Sequence, residues 1–387
     1  MLNFTHAIPT ELHFGKGQIK HLPEALGRYG KKVLLVYGGG SVKKSGLYDT
    51  VLGLLEGFEI TELPGVAPNP RLGSVEQGVK LCREKGIEVI LAVGGGSTID
   101  CSKAIAVGVY YEGDDLWEMV KGAGSVTKGL PLVDVLTLSA TGTEFDPFAV
   151  ITNPATNEKL GGVYIYPSVS ICDPSYTFSV SAYQTAAGSA DIMSHIMEGY
   201  FAHTADSDLA DGIAETVLKS VIHNLPIALR EPTNYSARAN LMADSSIACC
   251  RVAEYGKDDT CWPAHAMEHE LSAYYDITHG VGLAILTPRW MRFILKKDPS
   301  VTWRFAKFAR NVWGFDGDDE AALAQQGIDA LEQFFKDSGI PMTLTELGIG
   351  EEHFAVMASH ANPGNMLRNA FVPLTDEDIV EIFKACL

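Results

Sequence analysis

The chain has 387 residues, of which 46% are hydrophobic and 20% are charged, and its formal net charge is −18. These proportions are those of a globular protein, and the length favours two domains over a single core. The acidic balance argues against nucleic acids and anionic membrane surfaces as partners, because both attract clustered cations. No apolar run approaches the roughly 20 residues that are needed to span a bilayer.

The cysteines and the N-terminus favour a cytoplasmic location. The seven cysteines are scattered, their number is odd, and no CxxC pair occurs, which is typical of a reducing compartment. The first residues, Met1–His6, lack the basic start and the apolar stretch of a signal peptide. We therefore expect a cytoplasmic protein whose partners are small molecules.

The N-terminal half alternates between β-prone runs and helical segments. An extended segment at 12–17 comes first, and an amphipathic helix is predicted at 74–85. Strands are predicted at 32–37, 58–63, 89–93, 133–138, 149–152 and 169–172. This alternation is typical of an open parallel α/β sheet.

The pattern changes at Asp173-Pro174, and the chain beyond it is predicted to be helical. Apolar residues recur at helical spacing, with little β signal. These stretches are 186–201, 209–229, 239–252, 264–274, 301–312 and 319–336. We therefore predict a Rossmann-like α/β domain at 1–180 and an all-α domain at 181–387, the two halves to which the binding motifs below belong.

The helical half contains a candidate metal site. Asp191 and His195 are four residues apart, so a helix would place both side chains on one face. A second segment adds His265, His269 and His279. One carboxylate and several imidazoles suit Zn²⁺ or Fe²⁺. A single histidine in such a helix would more often be a packed one, but five donors in two clusters favour a metal.

Two glycine triplets follow predicted strands. Gly94–Ser97 lies between a strand and a helix, where glycines let the backbone approach a pyrophosphate and the helix N-terminus presents free N–H groups. A tight turn without a ligand explains this triplet equally well by itself. Neither a G-x-G-x-x-G fingerprint nor a Gly-Lys-Ser/Thr loop is present.

The other triplet, in Gly38–Ser41, bears on the choice between NADP and NAD. An acidic residue near this strand end would bind a ribose 2′-hydroxyl and repel a 2′-phosphate, and the segment has none. Lys43 and Lys44 add positive charge nearby. These residues favour NADP, although two surface lysines are usually just solvated.

Together these motifs resemble those of the iron-containing (group III) alcohol dehydrogenases, in particular the branch of butanol dehydrogenases and broad-range NADPH-dependent aldehyde reductases. The matching motifs are Phe14–Gly17, Tyr37–Lys44, Pro68–Pro70, Gly94–Asp100 with Lys103, Thr137–Glu144, Asp191-x₃-His195 and His265-x₃-His269-x₉-His279-Gly280. The resemblance implies a dehydroquinate synthase-like fold, with an α/β nucleotide-binding domain followed by an all-α domain. It also implies a homodimer.

The resemblance further implies roles for individual residues. The metal ligands would be Asp191, His195, His265 and His279, and His269 would touch the substrate or help to move a proton. The cofactor contacts would be Gly38, Gly39, Gly40 and Ser41 at the adenosine ribose, Asn69 beside them, Gly95, Gly96, Ser97 and Asp100 from pyrophosphate to nicotinamide, and Thr137, Thr141, Thr143 and Lys159 on a second wall. The chain departs from the family pattern at Asp146 and Phe148, which are expected to alter the lining of the pocket, so the family's substrate profile does not transfer.

The expected reaction is a reversible hydride transfer between NADP(H) and primary alcohols or aldehydes such as butanol and butanal, with Fe²⁺ or Zn²⁺. The alternatives are an NAD-dependent polyol or glycerol dehydrogenase, a non-redox metal lyase, and a metal-dependent hydrolase without a nucleotide. The lyase relatives ordinarily carry Glu at the position of Asp191, and a hydrolase would leave both glycine triplets unexplained. Nucleophilic chemistry at Cys261 is weakly supported, because the nearby histidines are assigned to the metal.

Overall fold

The computed structural model describes residues 1–122, 124–258 and 261–387. The described chain forms two compact units. The sheet unit comprises residues 7–180 and 232–250, and the helical unit comprises residues 1–6, 181–231 and 251–387. The predicted division into 1–180 and 181–387 differs from these units in two segments, because residues 232–250 pack with the sheet and residues 1–6 pack with the helices.

Parallel strands form the centre of the sheet unit. The strands are β1 Glu11–Phe14, β2 Lys32–Gly38, β3 Glu59–Val66, β4 Val89–Gly94, β5 Leu132–Leu136, β6 Phe148–Asn153, β7 Glu158–Val163 and β8 Val169–Cys172. A six-stranded parallel sheet has the order β1-β8-β5-β4-β2-β3, and β6 and β7 form a separate antiparallel hairpin.

The helices of the sheet unit are α1 Leu22–Gly27, α2 Ser41–Lys44, α3 Leu47–Leu54, α4 Leu72–Lys85, α5 Gly96–Gly108, α6 Leu116–Lys121 and α9 Tyr235–Ala248. The helices of the helical unit are α7 Ala182–Tyr200, α8 Asp208–Arg230, α10 Pro263–Tyr275, α11 His279–Lys297, α12 Thr302–Phe308, α13 Glu320–Asp337, α14 Phe354–Ala361 and α15 Asp376–Ala385. Within the described ranges, none of these helices has the length and apolar character required to cross a membrane.

The central strands β2 and β4 are almost continuously apolar because both faces of the sheet are covered there. In β2, Leu34 and Val36 join a core with residues of α4, α5 and α6. Their neighbours Val33 and Leu35 point the other way and join a core with residues of α1, α2 and α3. Such two-sided burial is typical of parallel sheets and explains why the strands show no polar alternation.

Two features of the fold differ from the sequence prediction. The segment predicted as a strand at 149–152 belongs to the β6–β7 hairpin, and β7 was not predicted because Glu158–Val163 contains two charged residues and two glycines. Helix α11 was also not predicted, since Gly280, Gly282 and the internal Pro288 weaken a helical signal. It is nevertheless buried along most of its length, so tertiary packing outweighs the local preference.

The strand order creates a topological switch point between β2 and β4. The chain leaves β2 through α2 and α3 to reach β3 on one side, whereas it leaves β4 through α5 and α6 to reach β5 on the other. Ligands of open parallel sheets bind at the carboxyl ends of the strands at such a point. The two glycine triplets follow β2 and β4, so the fold brings both to this edge.

A buried pair of carboxyl groups lies at β5 and at the turn that follows it. Ser170 donates a hydrogen bond to Asp134 Oδ2 at 2.6 Å, and Ser246 of α9 donates to Glu144 Oε1 at 2.7 Å. Among the residues that the structure describes, no partner reaches Asp134 Oδ1 or Glu144 Oε2. Burial raises the pKa of Glu144 to about 7 and that of Asp134 well above its ordinary value.

Replacing Glu144 by Gln is expected to flatten the pH dependence of stability. Because folding raises the pKa of Glu144, the protonated side chain stabilises the folded state. This contribution to the free energy of unfolding is fully present below pH 4.5 and is lost as the pH rises through 7. The free energy of unfolding of the variant, relative to the unmodified protein, should therefore rise by about 3 kcal/mol between pH 5 and pH 8. Urea unfolding at a series of pH values measures this difference, and parallel curves for the two proteins would contradict it.

Candidate metal centre and nucleotide-binding edge

Helix α7 carries a stripe of polar side chains although it is buried from Thr185 to Tyr200. Asp191, His195 and Glu198 occupy positions i, i+4 and i+7, so they share one face of the helix. All three are almost completely buried. Buried polar groups require partners, and these side chains find theirs on α10 and α11.

One oxygen atom, Oδ1 of Asp191, lies at the centre of three histidines. It is 3.1 Å from Nδ1 of His195, 3.6 Å from Nε2 of His279 and 3.9 Å from Nε2 of His265. Nδ1 of His195 also lies 2.9 Å from the main-chain oxygen of Asp191. The structure therefore brings together the four predicted metal ligands, which come from α7, α10 and α11.

Buried glutamates stand behind two of these rings. Nδ1 of His265 is 3.0 Å from Oε2 of Glu198, and Nδ1 of His279 is hydrogen-bonded to Oε2 of Glu268. Both glutamates are completely buried. A carboxylate that accepts the Nδ1 proton fixes the ring and leaves the lone pair of Nε2 for a metal. Each glutamate thus holds its histidine with Nε2 towards Asp191.

The donor atoms fit a divalent cation. Within the described part of the chain, Oδ1 of Asp191 and Nε2 of His265 are buried without a hydrogen bond. Burial raises the pKa of Asp191, but His195 and His279 more than offset this and hold it well below its usual value. Burial lowers the pKa of His265, whereas Asp191 and Glu198 raise it to about 9. A metal that takes one carboxylate and three imidazoles would displace such a proton.

An aromatic ring and a further histidine lie beside the cluster. The ring centroid of Trp262 is 5.1 Å from that of His265 and 5.3 Å from that of His195. His269 lies one turn after His265 on α10, with its ring centroid 5.7 Å from that of His279. The geometry therefore places His269 next to the ligand set, and its role in catalysis remains a prediction.

Glycines at the start of α11 allow close contact with α7 and α10. A Cβ at Gly280 would lie 1.9 Å from the main-chain oxygen of Ala187, and one at Gly282 would lie 2.7 Å from Cγ of Glu268. Real carbon atoms do not approach this closely. The two glycines therefore permit the packing that sets His279 beside α7.

The glycine turns of the sheet unit are also tightly packed. A Cβ at Gly95 would lie 3.1 Å from Cβ of Leu138, and one at Gly96 would lie 2.9 Å from Oγ1 of Thr141. Gly40 has a φ of 119°, a left-handed conformation that favours glycine, and α2 begins at the next residue. The first N–H groups of α5 have no partner inside the helix, so this edge can bind an anion such as a pyrophosphate.

Asp100 and Thr143, both predicted to contact the cofactor, belong to an internal network. Thr143 Oγ1 donates to Oδ1 of Asp100 at 2.7 Å, and the N–H of Val150 donates to Oδ2 at 2.9 Å. The buried Nζ of Lys103 donates to Thr143 Oγ1 at 2.7 Å. Burial raises the pKa of Asp100 to about 6 in spite of the neighbouring lysine. Both carboxyl oxygens are thus engaged inside the protein, where they shape the turn after β5.

Asp146, which is expected to alter the lining of the pocket, is buried in an ion pair with Lys103. Its side chain is 2% exposed, and Oδ1 accepts hydrogen bonds from Nζ of Lys103 at 3.0 Å and from the N–H of Phe148 at 2.7 Å. Lys103 also donates to the main-chain oxygens of Asp146 and Phe148. Asp146, which departs from the family pattern, therefore forms a buried ion pair with Lys103. This pair fixes the chain between the 3₁₀ turn Thr143–Phe145 and β6.

The remaining predicted cofactor contacts also belong to the sheet unit. The N–H of Thr137 donates to the oxygen of Gly94 at 2.9 Å, directly after β5. Asn69 has a left-handed φ of 50° in the turn before α4. Lys159 is buried in β7, opposite Thr152 of β6. Lys159 therefore lies in the hairpin, and the N–H of its partner Thr152 donates to the oxygen of Pro70 in the turn that carries Asn69.

Two family models together match almost the whole chain. Residues 9–174 match the iron-containing alcohol dehydrogenase model, and residues 185–387 match the C-terminal model of the Fe-containing alcohol dehydrogenase family. The chain belongs to the iron-containing alcohol dehydrogenase family. The predicted family, fold and enzyme class are confirmed, and the protein is an NAD(P)-dependent oxidoreductase.

Individual relatives are similar over nearly the full chain. NADH-dependent butanol dehydrogenase A of Clostridium acetobutylicum is 49% identical, with 99% of both chains covered. The NADPH-dependent aldehyde reductase YqhD of Escherichia coli is 35% identical, with 90% of both covered. The crystal structure of NADH-dependent butanol dehydrogenase A from Thermotoga maritima superimposes with a TM-score of 0.94 at 39% identity, covering 100% of this chain and 99% of that one. These similarities support oxidoreduction of alcohols and aldehydes by this iron-type dehydrogenase.

Sequence reasoning did not identify Glu198, Glu268 or Trp262 as part of the site. A signal was present for the glutamates, because each follows a predicted ligand histidine by three residues on a helix and so shares its face. Trp262 has no comparable signal. Its position against the two rings depends on how the chain enters α10, where its φ of 46° is left-handed.

Replacing Gly280 by Ala is expected to destabilise the helical unit and to weaken metal binding, because the methyl group would overlap the main-chain oxygen of Ala187. The free energy of unfolding should fall by at least about 2 kcal/mol. Urea unfolding and metal titration measure the two effects. Gly212→Ala in α8 is the matched control, since its Cβ would meet no atom within 4 Å. That control should gain up to about 1 kcal/mol, and equal stability of the two variants would contradict the packing argument.

Replacing Glu198 is expected to weaken metal binding, and more strongly when the hydrogen-bond acceptor for His265 is lost entirely. Glu198→Gln keeps an oxygen acceptor for His265 and should bind Zn²⁺ about 10-fold more weakly, whereas Glu198→Ala should bind it about 100-fold more weakly. Competition with a chromophoric chelator gives the dissociation constants, and urea unfolding gives the stability of each apo protein. Unchanged affinity in both variants would exclude an orienting role for Glu198.

Proposed function

We propose that this iron-type alcohol dehydrogenase interconverts primary aldehydes and alcohols of about the size of butanal and butanol, with NADPH preferred over NADH. The observation that carries the proposal is the convergence of His195, His265 and His279 on Oδ1 of Asp191. Similarity to a butanol dehydrogenase and to an aldehyde reductase supports the substrate class. Similarity at 33% identity to 1,3-propanediol dehydrogenase of Citrobacter freundii makes a diol substrate the second candidate.

Asp191, His195, His265 and His279 would hold the metal, either Fe²⁺ or Zn²⁺, since both accept oxygen and imidazole ligands. When bound, the metal would supply Lewis acidity to the substrate oxygen, and the nicotinamide would supply or accept the hydride. The carboxylate of Asp191 provides the negative charge of the ligand set. The buried glutamates behind two of the imidazoles accept from Nδ1 and point Nε2 inwards, where the metal would displace a proton.

His269 is proposed to pass the proton between the substrate oxygen and solvent. It is partly exposed, and its ring lies beside His279. An imidazole near a ligand set can donate or accept a proton near neutral pH. Its proposed role is that of a general acid in aldehyde reduction and of a general base in alcohol oxidation.

The nucleotide is proposed to bind across the carboxyl ends of β2 and β4. The first N–H groups of α5, with Ser97, would hold the pyrophosphate, and Gly38–Ser41 would contact the adenosine ribose with Asn69 beside them. The lack of an acidic residue in Gly38–Ser41 and the nearby charge of Lys43 support NADPH. We also propose that the protein is a cytoplasmic homodimer.

Butanal-dependent oxidation of NADPH should depend on a divalent metal and should be faster than oxidation of NADH. The test uses protein stripped with a chelator and reloaded with Fe²⁺ or Zn²⁺, with 1,3-propanediol oxidation measured in parallel. Faster turnover with NADH would contradict only the proposed preference for NADPH and would leave the proposed reaction in place. Higher activity on the diol would favour the second candidate, and no turnover with bound metal would reject the proposed reaction.

His195→Ala is the ligand variant for this test. It should lose the metal and at least about 100-fold of the activity, because removing one of four ligands opens the site. His223→Ala is the matched control, since His223 is an exposed histidine of α8 in the same unit. A His195→Ala protein that kept full metal content, measured by elemental analysis, would show that the ligand assignment is wrong.

A further inference from the structure

Four side chains form a cluster in the sheet unit beside Gly38–Ser41, with Tyr37 buried and Lys43 and Glu62 exposed. They are Tyr37, Lys43, Tyr48 and Glu62, referred to below as the Glu62 cluster. Tyr37 immediately precedes the glycine turn in β2. Its hydroxyl donates to Oε2 of Glu62 at 2.6 Å, and the hydroxyl of Tyr48 donates to Oε1 at 2.9 Å. One carboxylate therefore holds both phenols.

The amino group of Lys43 rests on the two rings. Its Nζ is 5.0 Å from the ring centroid of Tyr37 and 4.4 Å from that of Tyr48, and the two rings meet edge to face at 5.5 Å. Cation–π attraction of this kind holds an ammonium group in place. Contact with Tyr37 raises the pKa of Lys43, so the side chain remains positively charged.

Glu62 is the acidic residue that is missing from the turn itself. It lies in β3, opposite Leu35 of β2, so the carboxylate comes from the neighbouring strand rather than from Gly38–Ser41. Its negative charge acts on Lys43 in two ways: it offsets the charge of the ammonium group, and it orients the two rings that hold that group. Both effects reduce the attraction between Lys43 and a phosphate at the strand end.

We infer that the Glu62 cluster sets the discrimination between NADPH and NADH, with Lys43 favouring a ribose 2′-phosphate and Glu62 limiting that preference. The inference rests on the proposed function, which assigns the adenosine ribose to Gly38–Ser41. Lys43 is exposed and lies three residues after Gly40, so an ammonium group released from the rings can move towards the turn. The specificity of the site is therefore determined by residues of β3 and α3 as well as by the glycine motif.

The test compares the binding of 2′,5′-ADP with that of ADP, in competition with a fluorescent nucleotide, on the metal-loaded protein. The ratio of the two affinities should shift towards 2′,5′-ADP by about two- to fivefold in Glu62→Gln and away from it by a similar factor in Lys43→Gln, as expected for exposed charges. In the double variant, Glu62→Gln should have no further effect. The kcat/KM ratio of NADPH to NADH should follow the same order.

Two further variants separate the proposed mechanism from a change in net charge. Glu59→Gln removes an exposed carboxylate at the other end of β3 and should leave the ratio unchanged. Tyr48→Leu removes one ring from under Lys43 without changing the charge and should shift the ratio in the direction of Glu62→Gln. Thermal unfolding verifies that each variant is folded.

The inference is overturned if Glu62→Gln leaves the ratio unchanged, or if its effect persists in the Lys43→Gln background. These outcomes have no bearing on the proposed reaction, because ADP and 2′,5′-ADP contain no nicotinamide and cannot transfer a hydride. Conversely, an absence of butanal turnover together with the expected shift in the binding ratio would reject the reaction and retain the role of Glu62.

Discussion

An ionised carboxylate buried among three imidazoles is the interaction on which the helical unit depends. Burying Asp191 in α7 is unfavourable unless opposite charge or a metal compensates it, and the compensation comes from His195 of the same helix and from α10 and α11. Each of those helices also needs a buried glutamate to orient its histidine. Because a metal would bind only when all three helices are in place, its binding free energy would also stabilise the fold.

Close approach of the backbone makes both candidate sites possible. In the helical unit, Gly280 lets α11 start against Ala187. In the sheet unit, a Cβ at Gly142 would lie 2.3 Å from the main-chain oxygen of Ser245. Ser245 belongs to α9, and its hydroxyl accepts a hydrogen bond from the N–H of Ala140 at 3.0 Å. These contacts explain why α9 packs with the sheet, although its neighbours in sequence belong to the helical unit.

The sheet unit contains charged groups in two environments, one buried and one exposed to solvent. Beneath the turn after β5, Lys103 and Asp146 form a fully buried pair whose hydrogen bonds fix the main chain around Phe148. At the surface, Glu62 and Lys43 lie beside the turn after β2 and remain accessible to solvent. The buried pair can only shape the turn, whereas the two exposed charges can act on a charged ligand, because solvent screening leaves their interactions weak enough to rearrange.

The sequence by itself determined the parallel α/β half, the helical half, the family and the histidine-rich candidate metal site. Each of these depends on spacing within one element, such as the four residues between Asp191 and His195, and such spacing is visible in the chain. Only the tertiary structure decided that Glu198 lies behind His265, that α9 joins the sheet and that Asp146 is buried against Lys103. Glu198 and His265 are 67 residues apart, and a contact over that separation is fixed by how the helices pack, which no local pattern encodes.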